Sequence, residues 1–334
     1  MWFTNVIKPT HRCNLSCVYC YNEDSRRAKM GTFTLRRTIE ETFSFARSLD
    51  GSTPVDFIWH GGEPLLAGLD FFRLAVGIQK EVNRGAQYSN SVQTNGTLLN
   101  EAWVTFFQEE RFDVSLSIDG PADVNDVTRH YADGRGSFES VMRGMGLLRQ
   151  QGLPHGVCVV LSRLNVDKVE EILTFLSAQK LPFNVIPLTR SGSAFKRFQQ
   201  VGLGPHDYAA PWIRLFDLWF ESDQDGYVQC TDFIRKARAV LIGRPTDCIG
   251  QEQCGSHHIS TDQNGFVYPC ATLSGDRTWA YGNIRGRNLT ELMASPVAKQ
   301  AGQRKRDPHC ARCKWEHVCH GGCMSRSIKF YGTH

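Results

Sequence analysis

A chain of 334 residues is long for a single hydrophobic core, so we expect one large and one small domain. Its composition, with 41% hydrophobic and 22% charged residues, is ordinary for a globular protein. The net charge of +4 is small for this length and comes with no long basic run, so by itself it argues neither for nor against a nucleic-acid or membrane partner. We expect no partner of either kind.

The N-terminal residues lack the basic and apolar regions of a secretory signal, and no apolar run approaches the ~20 residues of a membrane span. We therefore expect a cytoplasmic protein. In a reducing compartment, its twelve cysteines are more often metal ligands than disulfides.

Strand-like and helix-like segments alternate through the first half of the chain. The pattern predicts strands at 2–8, 54–60, 88–93, 113–118, 156–161 and 183–186, and helices at 35–49, 71–82, 101–109, 137–150 and 166–179. Such alternation is typical of an α/β fold in which helices cover a parallel sheet. Six units do not complete an eight-stranded barrel, so we predict an open, partial (β/α)6 TIM-like barrel with its functional loops after the strands.

The pattern changes after Pro187. Residues 191–204 are predicted to be a loop, 208–220 and 233–242 are predicted helices, and the chain becomes loop-rich and cysteine-dense from Cys248. The predicted organisation is therefore a barrel at 1–190, a helical connector at 191–245 and a small C-terminal domain at 246–334.

The loop after the first predicted strand holds Cys13, Cys17 and Cys20 in a CxxxCxxC arrangement. This spacing is too tight for a typical disulfide framework, and the set is one ligand short of a closed four-cysteine site. Three thiolates can instead hold three irons of a [4Fe–4S] cube and leave the fourth iron open. The alternative, three unrelated buried cysteines, is disfavoured by the motifs that follow.

The triplet, with Tyr19 directly before its last cysteine, resembles the cluster-binding loop of radical S-adenosylmethionine (SAM) enzymes. The resemblance implies that Cys13, Cys17 and Cys20 are catalytic, because the open iron in that family binds the methionine part of SAM. Cleavage of SAM by the reduced cluster then gives a 5′-deoxyadenosyl radical that abstracts a substrate hydrogen. An electron donor such as flavodoxin or ferredoxin is implied as a partner.

Polar and glycine-rich motifs follow the later strands, namely H-G-G-E-P at 60–64, Q-T-N-G-T at 93–97 and S-I-D-G-P at 117–121. Each is also ordinary turn chemistry. By resemblance, the SAM contacts would be Tyr19 in the cluster loop, Gly61, Gly62 and Glu63 at the amino group, Thr94, Asn95 and Ser117 at the methionine and ribose, Arg129 at the carboxylate, and the fifth strand to Leu161, with Ser162 and Asn165, at the adenine. Asp119 is left open as a cap or a ligand, and Ser137 is predicted to be a helix N-cap.

The C-terminal region carries seven further cysteines but only one CxxC pair, whereas a zinc ribbon would have paired CxxC knuckles. The spacing resembles the SPASM domain, a module of radical SAM enzymes that usually holds two auxiliary [4Fe–4S] clusters, and it is favoured over zinc. That resemblance implies a first auxiliary cluster on Cys248, Cys254, Cys270 and Cys323, and a second on Cys310, Cys313 and Cys319.

Two four-thiolate clusters need eight ligands, and this region supplies seven. We expect that the sequence is truncated at its C-terminus, or that the second cluster has an open iron or an unusual ligand. The candidates for such a ligand are His317, His320, His334 and Cys230.

Enzymes of this architecture mostly modify peptides or proteins, and sulfatase maturases are among them. Maturases carry a general-base aspartate directly after the cysteine of the G-x4-C segment, where this chain has Ala271. Because alanine accepts no proton, sulfatase maturation is predicted to be disfavoured. The main hypothesis is instead a carbon–carbon or carbon–heteroatom crosslink on a ribosomally made precursor peptide, as in RiPP biosynthesis.

Two alternatives remain open at this point: radical chemistry on a small molecule such as a sugar, nucleoside or amino acid, and a non-enzymatic zinc or iron–sulfur protein. Only twelve residues precede Cys13, so no leader-binding domain is expected before the barrel. Leader recognition would use the barrel rim, the C-terminal region or a separate leader-binding protein.

Overall fold

Six parallel strands lie side by side in chain order and form the centre of the structure. The structure is a computed structural model, and it describes residues 2–22, 29–222, 227–303 and 306–332. Along the third, fourth and fifth of these strands, buried residues alternate with more exposed, mostly polar ones, so the two faces of the sheet differ in burial. The strands are β1 (Phe3–Ile7), β2 (Val55–Trp59), β3 (Tyr88–Thr94), β4 (Phe112–Ser117), β5 (His155–Leu161) and β6 (Phe183–Pro187).

Amphipathic helices cover the apolar face of this sheet. Between the six strands lie α1 (Thr32–Asp50), α2 (Leu69–Val82), α3 (Glu101–Glu109), α4 (Ala122–Thr128), α5 (Phe138–Gln150) and α6 (Val169–Ala178). Buried polar side chains join the layers, since Asn90 of β3 exchanges hydrogen bonds of 2.9 Å with Gln79 of α2. The predicted parallel α/β sheet with outer helices is confirmed.

The sheet continues beyond the six predicted strands, at the free edge of β1. Strand β7 (His258–Thr261) pairs with β1 in parallel, and β8 (Phe266–Tyr268) and β9 (Gly282–Asn283) follow antiparallel, giving the order β6-β5-β4-β3-β2-β1-β7-β8-β9. The C-terminal region therefore shares the sheet of the barrel. Sequence alternation missed this hairpin because its strands are only two to four residues long.

Short helices replace part of the predicted loops. Residues 191–204, predicted to be a loop, contain α7 (Gly192–Lys196) and α8 (Phe198–Val201), and that prediction is wrong. The connector helices are α9 (Pro205–Phe220) and α10 (Thr231–Ile242), and the C-terminal region adds α11 (Leu289–Met293), α12 (Pro296–Gly302), α13 (Glu316–Cys319) and α14 (Met324–Tyr331). In the described residues, no helix is long and apolar enough to cross a membrane.

Candidate active site

The cysteine loop leaves the carboxyl end of β1 and is held by the segment that follows β2. The amides of Gly62 and Glu63 donate to the carbonyl oxygens of Thr10 and Arg12 at 3.0 and 2.8 Å. A Cβ atom on Gly61 would overlap the Thr10 carbonyl oxygen, and one on Gly62 would overlap that of Arg12. The two glycines are therefore required for close packing of the loop backbone, whatever ligand lies beside them.

Glu63 is fully buried and binds three donors beneath the loop. Its carboxylate accepts hydrogen bonds from the Thr94 hydroxyl at 2.6 Å, the Asn95 amide at 2.8 Å and the Leu65 amide at 3.1 Å. The Asn95 side chain donates to Asn14 at 2.9 Å and to the Cys13 sulfur at 3.7 Å. These side chains thus hold the cysteine loop, and their predicted contacts with SAM remain predictions.

A second buried network holds the middle of the loop. The Tyr19 hydroxyl donates to Asp119 at 2.5 Å and accepts from the Arg129 guanidinium at 2.8 Å. Asp119 also accepts from the Thr128 hydroxyl and from the Val160 amide of β5. Asp119, left open from sequence as a cap or a ligand, is therefore a buried anchor that ties the loop to β4 and β5.

The polar face of the sheet lines the interior of the partial barrel. Gln93 at the end of β3 donates to the Ser117 hydroxyl of β4 at 2.9 Å and accepts from the Cys158 thiol of β5 at 3.3 Å. Ser117 therefore lies on the interior face, as a ligand contact requires. Leu161 is fully buried among the core residues on the helix face, so only its backbone could meet a ligand in the interior.

Ser137 lies at the predicted start of α5 but makes no side-chain cap. Its hydroxyl donates to the Arg129 carbonyl at 2.8 Å, and Asp126 accepts from the Phe138 amide at 2.9 Å in its place. Ser137 is therefore the N-cap residue of α5 by position, as predicted, but the Asp126 carboxylate supplies the capping acceptor and the Ser137 hydroxyl binds the Arg129 carbonyl instead.

A cluster that the sequence analysis did not single out joins the cysteine loop to the C-terminal region. Lys8, at the end of β1, is fully buried and donates to the Asn22 side chain at 3.2 Å and to the Ala271 carbonyl at 3.0 Å. Its amine lies 4.9 Å from the centre of the Tyr21 ring, whose hydroxyl is 3.3 Å from Nε2 of His60. The sequence signal was their adjacency to the two motifs: Tyr21 follows Cys20, and His60 precedes Gly61.

Four of the C-terminal cysteines lie in one neighbourhood. Burial, and then the proximity of Cys323, raises the pKa of both Cys248 and Cys270. Burial also raises the pKa of Tyr281, with smaller contributions from Cys254 and Cys270. The assignment of these four cysteines to the first auxiliary cluster remains a prediction.

The second predicted set lies on short turns at the surface. Cys313 and Cys319 are exposed, and the Cys313 amide donates to the Cys310 carbonyl at 3.0 Å. Of the predicted unusual ligands, Cys230 is fully buried in the hydrophobic core beside Phe183, with which its backbone forms an isolated bridge. His320 bonds through Nδ1 to the Gly250 carbonyl at 2.7 Å, and His334 lies outside the described residues.

The residues present fit an iron–sulfur cluster with SAM beside it. Burial raises the pKa of the Cys17 thiol to about 11, so its thiolate needs a cation, which iron supplies. Within the part of the chain that the structure describes, the buried Nε of Arg129 has no hydrogen-bond partner, although Nη1 is held by Tyr19. A buried guanidinium donor beside the loop suits a carboxylate such as that of SAM.

Family models match both parts of the chain. The Radical SAM superfamily model matches residues 7–176, and the iron-sulfur cluster-binding domain model named SPASM matches residues 248–314. The chain belongs to the radical SAM superfamily and carries a SPASM domain. Its cofactors are accordingly SAM, the [4Fe–4S] cluster of this family and auxiliary [4Fe–4S] clusters.

Curated relatives extend the similarity over nearly the whole chain. The chain is 30% identical over 332 residues to the cysteine-type anaerobic sulfatase-maturating enzyme of Clostridium perfringens (strain 13 / Type A), covering 95% of this chain and 88% of the relative. It is 29% identical over 318 residues to the serine-type anaerobic sulfatase-maturating enzyme of Klebsiella aerogenes, covering 93% and 76%.

Two solved structures are similar to this chain in fold. The structure described as native anSMEcpe with bound AdoMet and Kp18Cys peptide superposes with a TM-score of 0.85 at 27% identity, covering 96% of this chain and 89% of that one. Streptococcus suis SuiB bound to its precursor peptide SuiA gives a TM-score of 0.64 at 15% identity, covering 99% and 73%, which shows the fold alone.

These comparisons correct the functional prediction. The sequence analysis favoured crosslinking of a precursor peptide and disfavoured sulfatase maturation, yet maturases match this chain along nearly its full length. The main hypothesis is therefore wrong, and the leader-binding protein expected with it is not carried further. The error was to treat Ala271 as decisive, although a proton acceptor for the reaction need not come from that one position.

Proposed function

We propose that this protein is an anaerobic sulfatase-maturating enzyme that oxidises a cysteine or serine side chain of a sulfatase. The observation that carries the proposal is the whole-length similarity to maturases of both types, together with a TM-score of 0.85 to the peptide-bound maturase structure. A peptide or protein substrate follows from the same similarity.

Cysteine and serine share a β-carbon that carries two hydrogens and one heteroatom. The cofactor supplies a radical that abstracts one hydrogen atom from this carbon. Removal of the thiol or hydroxyl proton and of one electron then gives a C=S or C=O double bond. Water hydrolyses the C=S group to the aldehyde and releases hydrogen sulfide, whereas the C=O group is already the aldehyde. The SPASM cysteines would hold auxiliary clusters, which would supply the acceptor for this electron, and we propose that a flavodoxin or ferredoxin reduces the enzyme.

The chain's own residues would prepare this step. The Glu63 network and the Asp119 network fix the cysteine loop, and Arg129 presents Nε where the carboxylate of SAM would lie. Lys8 holds the backbone of Ala271, next to Cys270, against the end of β1. This contact would bring the SPASM domain to the site where the substrate side chain reacts.

The test is anaerobic incubation of the reconstituted enzyme with SAM, a reductant and sulfatase peptides that carry cysteine, serine or alanine at the target position. The expected result is formation of 5′-deoxyadenosine and conversion of the first two peptides to the aldehyde, read by mass spectrometry. The alanine peptide is the control and should stay unchanged. Unmodified cysteine and serine peptides, with active SAM cleavage, would contradict the proposal.

A further inference from the structure

The Tyr21 hydroxyl lies between the two cysteine-bearing regions of the site. Tyr21 follows Cys20 directly, and its ring packs beneath the Lys8 amine that holds Ala271. Its backbone is fixed as well, because the Ser191 hydroxyl donates to the Tyr21 carbonyl at 3.2 Å. The half-buried side chain is therefore held on several sides at the place where the cysteine loop faces the SPASM domain.

His60 sets the direction of the Tyr21 hydroxyl proton. The Gly61 amide donates to Nδ1 of His60 at 2.8 Å, so the neutral ring must carry its proton on Nε2. Nε2 lies 3.3 Å from the Tyr21 oxygen, and the rings meet edge to face at 89° with centres 6.0 Å apart. The ring thus donates to the Tyr21 oxygen, which leaves the Tyr21 proton free to point elsewhere.

Both groups keep the required protonation state near neutral pH. Burial, and then the nearby Lys8 ammonium, lowers the pKa of His60 to about 4, so its ring is neutral. A tyrosine hydroxyl keeps its proton at neutral pH, so Tyr21 is a hydrogen-bond donor. Within the described residues, the Tyr21 hydroxyl has no hydrogen-bond partner besides His60.

We propose that the Tyr21 hydroxyl, oriented by His60, donates a hydrogen bond to the side-chain heteroatom of the residue that is oxidised. This inference rests on the proposed function and names a substrate-binding residue within it. Tyr21 contacts the substrate, and His60 is a positioning residue. A hydroxyl oxygen accepts such a bond well, whereas sulfur is a weak acceptor, so the interaction favours serine over cysteine.

The variant that tests this bond is Tyr21→Phe, which keeps the ring under Lys8 and removes only the hydroxyl. A neutral hydrogen bond of this kind corresponds to about a 5- to 10-fold loss of kcat/KM on the serine peptide, and about 2-fold on the cysteine peptide. The matched control is Tyr208→Phe, because the buried Tyr208 hydroxyl has no partner within the described chain and lies in the connector helix α9.

Variants of His60 separate orientation from packing. His60→Gln keeps an N–H donor and His60→Leu does not, so serine-peptide oxidation should fall in the order wild type, His60→Gln, His60→Leu. Iron content and melting temperature, measured for each variant, identify any that are misfolded. A second readout needs no turnover: wild-type enzyme should bind the serine peptide more tightly than its alanine analogue in fluorescence polarisation, and Tyr21→Phe should lose most of that preference.

Two outcomes overturn the proposal and are distinct from each other. If Tyr21→Phe lowers the serine and cysteine reactions equally, or leaves both unchanged, the hydrogen bond is absent and the proposed function still stands. If wild-type enzyme oxidises neither peptide while it cleaves SAM, both the proposed function and the assignment of Tyr21 fail.

Discussion

The two cysteine-bearing regions differ in how firmly the structure holds them. Two buried carboxylates, Glu63 and Asp119, each accept three hydrogen bonds beneath the N-terminal loop. In the C-terminal region, by contrast, the second cysteine set lies on exposed turns, with Cys313 and Cys319 at the surface. The comparison indicates that the protein preorganises the cysteine loop, where the radical forms, more rigidly than the second cysteine set of the C-terminal region.

The largest effect is expected from removal of a ligand in the rigid loop. Cys17→Ala should abolish SAM cleavage, because the remaining two cysteines cannot hold a [4Fe–4S] cube with one open iron. The measurement is 5′-deoxyadenosine formation after reduction, with iron and sulfide counted in parallel. Cys230→Ala, which removes a core thiol, is the control and should keep both cleavage and iron. SAM cleavage by Cys17→Ala at the wild-type rate would show that Cys17 does not hold the cluster that cleaves SAM.

The second prediction separates the two regions directly. Cys270→Ala should remove the first auxiliary cluster and keep peptide-independent SAM cleavage. Peptide oxidation should fall at least about 10-fold, because the electron taken from the substrate then has no acceptor. The ratio of oxidised peptide to 5′-deoxyadenosine measures this uncoupling. If that ratio stays at the wild-type value, the C-terminal region has no part in the oxidation.

A smaller effect is expected at Glu63, which binds three donors beneath the cysteine loop. Glu63→Gln replaces a carboxylate that faces three donors with an amide, which places a donor against a donor and costs about 1–3 kcal/mol. SAM affinity should fall, while the auxiliary clusters keep their iron. Glu101→Gln, at the exposed start of α3, is the matched control. Unchanged SAM binding in Glu63→Gln would show that this network does not shape the SAM site.

The smallest predicted effect concerns pH and the hairpin that joins the two regions. Burial lowers the pKa of His258 in β7 to about 4, from an ordinary value near 6.5. The unfolded chain therefore binds a proton to His258 at higher pH than the folded protein does. The contribution of neutral His258 to the free energy of unfolding is fully present above pH 6.5 and is lost as the pH falls toward 4. Between pH 8 and pH 5.5, the free energy of unfolding of His258→Phe should fall by about 1 kcal/mol less than that of the wild type in denaturant titrations. An unchanged slope would contradict the assignment.

The repeated units and the motifs were readable from sequence because each depends on local pattern. Strand alternation placed the six strands β1 to β6, and the family resemblance of the CxxxCxxC loop agreed with the family comparison. The β7–β9 hairpin escaped because strands of two to four residues carry too little periodicity.

The interactions that fix the site were not readable, because they join residues far apart in the chain. Asp119 meets Tyr19 across 100 positions, and Lys8 meets Ala271 across 263. The functional error had a related cause, since Ala271 was judged from its side chain alone. In the structure, its carbonyl is the part that contacts the rest of the site.

We propose that radical formation at the cysteine loop leads to hydrogen abstraction from the β-carbon of a sulfatase cysteine or serine. The most direct measurement uses peptides deuterated at that carbon and reads deuterium in 5′-deoxyadenosine by mass spectrometry. We predict deuterium in 5′-deoxyadenosine together with an aldehyde in the peptide. Aldehyde-free peptide and 5′-deoxyadenosine without deuterium would contradict it.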